Sequence, residues 1–193
     1  MKSRRISKPS LAICWWSFQV ALVLGMIAVV IWLSLIPKKP KFTIVDLYIP
    51  TLNTSTGNSS NYEGIIQNTS LILILQVSNP NKGIAVFYSD MNISLFHRGG
   101  DSIGKQAVPG FYQGHKSSLS CNVTTGADQK QLWRGDAGRV LDLRMRLEAA
   151  VRFKIIWWKT RHHRMDFEAF VVVDPRGKMQ GQRNTRLIQK FIN

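Results

Sequence analysis

Five asparagines stand in the acceptor pattern for N-linked glycans: Asn53, Asn58, Asn68, Asn92 and Asn122, each followed two positions later by serine or threonine. That pattern carries chemistry only in the secretory lumen. The other residues with suggestive spacing do less. Gly100-Asp101-Ser102-Ile103-Gly104 fits the nucleophile elbow, which needs a serine on a strained turn between a strand and a helix. Lys105 to Pro109 leaves no room for that helix, and a hairpin turn accounts for all five residues. Arg134-Gly135-Asp136 is the tripeptide of some adhesion ligands, but followed by Ala137-Gly138 it is also a good turn. His162 and His163 are adjacent, so on a strand their rings diverge and do not share a metal. Asp166 and Glu168 share a face, beside basic residues of a neighbouring strand that offset them. The sequence thus predicts no catalytic residue, no metal and no cofactor. A small type II membrane hydrolase would rest on Ser102 alone, and a short type II glycosyltransferase fits neither the size nor the acidic content.

The remaining chemistry is charge. Lysine and arginine number 26 against 11 acidic residues, a net charge of +15, and from Arg134 onward 14 basic residues face 6 acidic ones. Arg144, Arg146, Arg152 and Lys154 project from one face of a strand, with Arg161 and Arg164 flanking its return turn. Such a face suits anionic lipid or an acidic cell-wall polymer, through charges that salt screens over about 8 to 10 Å. The competing reading is a solvated face balanced by Asp142, Glu148, Asp166 and Glu168. No nucleic-acid partner is expected, and any protein partner is unnamed by the sequence.

The elements that must position these groups begin with a membrane span. Leu11 to Ile36 is a run of 26 residues without a charged residue or histidine. As a helix it reaches roughly 39 Å, more than the roughly 30 Å hydrocarbon core. Trp15, Trp16 and Trp32 lie toward its two ends, where indoles favour the interface. The run is too long for a signal-peptide core and ends in Ile36-Pro37-Lys38-Lys39-Pro40, so a retained signal-anchor is expected. Ser17, Ala21 and Gly25 form a small-residue ridge that permits close helix approach and self-association. The expected organisation is a cytosolic basic tail over residues 1–10, a transmembrane helix over 11–36 and a β-rich ectodomain over 37–193. Basic residues flank both ends of the span, so the sequons decide the orientation, with the N-terminus cytosolic. Cys14 lies in the span and Cys121 outside it, which leaves the ectodomain no internal disulfide.

Outside the span the periodicity is that of strands. Lys41 to Ile49, Leu71 to Ser78, Ile84 to Tyr88 and Asn92 to His97 read as strands, with Thr51 to Gly64 an exposed loop and Arg98 to Asp101 a turn. Leu141 to Trp157 alternates apolar and largely charged residues, a strand long enough to predict a bend or bulge. Lys159 to His163 reads as its turn, centred on Arg161, which would pair Lys154 with Glu168 on the return strand Arg164 to Asp174. Many strands separated by turn signals indicate a β-sandwich.

Several short motifs in order carry a family likeness: Pro37-Lys38-Lys39-Pro40-Lys41-Phe42; Asn79-Pro80-Asn81 with Phe87-Tyr88-Ser89-Asp90; Phe111-Tyr112-Gln113-Gly114-His115-Lys116; and Trp157-Trp158-Lys159-Thr160. Over nearly its whole length the chain resembles the plant harpin-induced-like, non-race-specific disease resistance-like membrane proteins, which carry a late embryogenesis abundant group 2 domain. The resemblance implies an immunoglobulin-like or fibronectin-like sandwich, a single pass, plasma-membrane residence and a link to defence and stress, with no agreed catalytic residues. This chain departs from the family in the inserted Ser89 and in lacking a cysteine on the strand after His163. The motifs themselves read as structural. Proline fixes a strand exit, Phe111 and Tyr112 supply core area, and Gly114 permits a tight turn.

Overall fold

The computed structural model describes residues 8–50, 68–97, 100–128, 132, 140–155, 157–181 and 184–190. The chain divides into two compact units, Met1–Pro37 and Lys38–Asn193. The first holds helix α1 (Lys8–Ser34), whose side chains from Ala12 onward are exposed. Within it, Ala12–Ser34 is long and apolar enough to cross a membrane.

The second unit is a β-sandwich. One sheet contains β1 (Lys41–Tyr48), β2 (Asn68–Ser78), β7 (Ser118–Asp128) and β12 (Thr185–Arg186), in the order β12-β1-β2-β7. The other is built on β8 (Leu141–Ile155) and β10 (His163–Val173), paired antiparallel over eleven residues. On the opposite edge of β8 lie two strands end to end, β4 (Met91–His97) and β3 (Ile84–Tyr88). Short strands complete this sheet: β5 (Ser102–Val108) on β4, β6 (Tyr112–Gln113) on β3, β9 (Trp158–Lys159) on β8, and β11 (Met179–Gln180) and β13 (Ile188–Lys190) on β10.

The alternation in β8 decides which sheet face is inside. Leu141, Leu143, Met145, Leu147, Ala149, Val151 and Phe153 are buried against Met165, Phe167, Ala169, Val171 and Val173 of β10 and against Phe42, Ile44, Leu73 and Leu75 of the facing sheet. Phe42 sits 4.7 Å from Phe167 and 6.1 Å from Tyr88, ring centre to ring centre, and so joins the two layers. At one open side the sheets approach through glycine. A Cβ on Gly104 in β5 would stand 2.7 Å from the Gly126 carbonyl oxygen in β7, so only hydrogen fits there.

Three expectations need correction. The β8–β10 ladder has no register shift, so of the bend or bulge expected in β8 no bulge forms against β10, and its length is accommodated by changing partners from β4 to β3. A register shift falls instead in β1, between Ile44 and Asp46. The chain also reverses between Ile155 and Trp158, which pair with each other, and not around Arg161. Glu168 consequently faces Arg146, while Lys154 lies between Ala85 and Lys159. Finally, Trp157 is not on the apolar face of the strand: it is 91% exposed.

Candidate functional site

Residues of three of the family-like motifs, Lys38, the Asn79–Asn81 turn with Tyr88, and Gln113, form a single hydrogen-bonded assembly at one end of the sandwich. Proline at position 80 fixes the exit of β2, so the amides on either side of it can turn inward. Asn79 donates from Nδ2 to the carbonyls of Ile84, at 2.8 Å, and Gly114, at 2.9 Å. Its Oδ1 accepts from the backbone and the side chain of Asn81. Asn81 in turn grips the main chain of Lys38 twice: the Lys38 N–H donates to Oδ1 at 2.7 Å, and Nδ2 donates to the Lys38 carbonyl at 2.8 Å. Both asparagines are buried, and an unpaired amide there would cost about 1–3 kcal/mol.

Gln113 extends the same assembly. Its Nε2 donates to the carbonyls of Val77 and Ser117, and its Oε1 accepts from the Tyr88 hydroxyl at 2.9 Å. Tyr88 stacks on Phe111 at 4.6 Å, and burial pushes its hydroxyl pKa well above the ordinary tyrosine value. Every polar group named here is used within the fold. Sequence reasoning recognised these motifs as structural but missed that they fasten Lys38; the signal was the pair of amides flanking one proline.

The four basic residues do project from one face of β8, yet they separate into two pairs. Arg144 meets Glu168 at 3.1 Å and lies 5.1 Å over the Phe96 ring, and Lys190 reaches the other oxygen of Glu168 at 3.9 Å. Arg146 meets Asp166 at 3.1 Å and Glu148 at 3.4 Å. These two arginines are thus offset by carboxylates. Arg152 instead donates from Nε to His162 Nε2, and among the described residues neither it nor Lys154 pairs with a carboxylate. Lys159 lies 4.8 Å over the Phe87 ring, which packs on Tyr112 at 4.7 Å.

The acceptor asparagines are dispersed. Asn122 is exposed in the middle of β7, whereas Asn92 is half-buried in β4, paired to both β5 and β8. Asn68 opens β2, and Asn53 and Asn58 lie outside the described residues. Arg134-Gly135-Asp136 lies outside them as well. Ser102 begins strand β5, with no helix behind it, so the elbow geometry is not formed. Burial raises the pKa of the Cys121 thiol, which keeps it protonated and weakly nucleophilic at neutral pH. Among the described residues no group of three histidines, cysteines or carboxylates is arranged to hold a metal ion.

Residues 75–168 of this sandwich, which include the interlocked Asn-Pro-Asn motif, match the family described as late embryogenesis abundant protein. The chain is similar to the NDR1/HIN1-like proteins of Arabidopsis thaliana. It is 29% identical to Protein NDR1 of Arabidopsis thaliana over 163 residues, which is 79% of this chain and 71% of that one. NDR1/HIN1-like protein 26 of the same plant is 24% identical over 174 residues, 82% of this chain and 79% of its own. A solution structure of a third Arabidopsis thaliana protein aligns with a TM-score of 0.42 at 12% identity, over 72% of this chain and 84% of that one. Homology to the NDR1/HIN1-like proteins supports a role in plant stress or defence.

Proposed function

We propose that this chain is a single-pass, non-enzymatic binding or signalling protein of plant defence or stress, with a cytosolic N-terminus and its sandwich on the outer side of the plasma membrane. The observation that carries the reading is an exposed apolar helix joined to a sandwich that bears acceptor asparagines and whose buried motif residues Asn79, Asn81, Tyr88 and Gln113 are used up in its own packing. Glycosidase treatment should shift the mobility of the C-terminal domain, and a tag on Met1 should stay protease-protected in sealed right-side-out vesicles. An unglycosylated C-terminal domain on the cytosolic side would overturn the topology.

A second reading, contact with an anionic lipid or acidic polymer through the β8 face, is supported by Arg152 and Lys154, which among the described residues have no carboxylate partner. Replacing both with glutamine should lower salt-sensitive binding of the protein to pectate several-fold. The same change at Arg144 and Arg146 should do little, since those charges are already offset. Equal losses in the two variants would refute this division of the face. Self-association through the ridge of Ser17, Ala21 and Gly25 remains part of the proposal for the helix.

A further inference from the structure

The end of the sandwich that holds Lys38 is also the end that carries its most exposed aromatic residues among those described. Lys38 is bound to Asn81, the Lys116 N–H donates to the Asn81 carbonyl, and three residues beyond Asn81 Ile84 pairs with Ile155. Ile155 pairs with Trp158, so Trp157 and Trp158 form a tip on this same end, 91% and 79% exposed. A hairpin turn needs no tryptophan, and two indoles held in water are unfavourable unless something covers them.

The composition of this end names its surroundings. Residues 38–41, 79–84, 113–118 and 153–160 contain seven lysines and no aspartate or glutamate, although 11 acidic residues are spread over the chain. Lys38, Lys39, Lys82, Lys116 and Lys159 are exposed. Indoles with lysines around them are the combination that settles into the headgroup layer of a bilayer, the ring at the interface and the ammonium among phosphates. Chain length supplies the second argument. Helix α1 ends at Ser34, and four residues later Lys38 is already bound to Asn81. At about 3.3–3.6 Å per residue, that stretch carries Lys38 no farther than about 14 Å from the helix end.

We propose that the Trp157-Trp158 tip, with the lysines around it, docks into the headgroup layer of the membrane that the helix spans. This rests on the anchoring reading above. It assigns the hairpin tip a partner, a phospholipid interface, and sets the sandwich against the bilayer as more than a tethered domain.

The test uses the full chain in vesicles of phosphatidylcholine and phosphatidylserine, with Trp15, Trp16, Trp32 and Trp133 replaced by phenylalanine, so that Trp157 and Trp158 are the only indoles. Their emission should be blue-shifted and quenched by lipids brominated near the glycerol end of the acyl chains. In W157S/W158S of the unaltered chain, trypsin cleavage after Lys82 and Lys116 should rise several-fold on vesicles and stay unchanged in detergent, where a misfolded variant would also be cut. Water-like, unquenched emission from protein that floats with the vesicles and resists carbonate would overturn the docking while leaving the anchor standing. Protein that carbonate strips away would overturn the anchoring reading, and the docking with it. Indole shielding that follows protein density and not brominated lipid would assign the tip to a second copy of the chain and refute the proposal.

Discussion

Tyr88 shows how a single side chain couples this fold to pH. Its ring is stacked on Phe111 and its hydroxyl donates to the otherwise buried Gln113. Burial raises its pKa, so in the folded protein it stays neutral at a pH where an unfolded tyrosine, titrating near 10, has begun to ionise. Its contribution to stability is therefore complete below pH about 10 and declines as pH rises further toward the folded value. Tyr88→Phe keeps the ring and loses the hydrogen bond, costing about 1 kcal/mol or somewhat more at neutral pH. Denaturant midpoints of the two proteins should converge as pH rises above about 10, and a constant or widening gap would contradict the assignment. The aromatic character of Phe111 was legible in the sequence, but the burial of Gln113 was not. A glutamine within Tyr112-Gln113-Gly114-His115 reads as one more polar turn residue, and only the carbonyls of Val77 and Ser117 make it an interior one.

At the scale of the strand pair, two-residue periodicity specifies faces and leaves register open. The expected and observed registers differ by an even number of residues, so the inward set of β8 and β10 is the same in both. The difference lies at the turn. Lys159 to His163 is polar and looks like a loop, whereas the actual reversal lies between apolar Ile155 and Trp158, and Thr160 folds back to pair with Phe153 through its N–H and its hydroxyl. The observed register predicts that Arg144→Glu and Glu168→Arg each destabilise and that the double variant recovers about 0.2–1 kcal/mol of the combined loss. Lys154 and Glu168 should behave additively in the same chemical-denaturation cycle. Strands β5 and β7 carried too little contrast to be read beforehand. The inward residues of β7 include Thr125 and Ala127, and Gly104 owes its place to the neighbouring sheet and not to any turn.

For the whole molecule, the strand directions distribute the acceptor asparagines unevenly. Asn68 opens β2 at the end opposite Ser78, remote from Lys38 and the tryptophans, whereas Asn53 and Asn58 lie outside the described residues. Asn122 is exposed on the outer face of its sheet, while Asn92 is hemmed in by paired strands on both sides. Glycopeptide mapping should find a glycan on Asn122 in most molecules and on Asn92 in few. The reverse occupancy would conflict with the accessible surface of the folded domain.

The grip of Asn81 on Lys38 also decides how the molecule would bear tension. Suppose the far end of the sandwich were held while the chain at Pro37 was drawn the other way. The pull would arrive first at the two Lys38 bonds and then run along the axis of β1, which lies between β12 and β2. The seven residue pairs joining β1 to β2 would then be strained together, in shear, and would not open one after another from an end. A strand loaded in this way yields only when much of its ladder fails at once. The domain would behave as a stiff mechanical link, able to pass a displacement from one end to the other before it unravels.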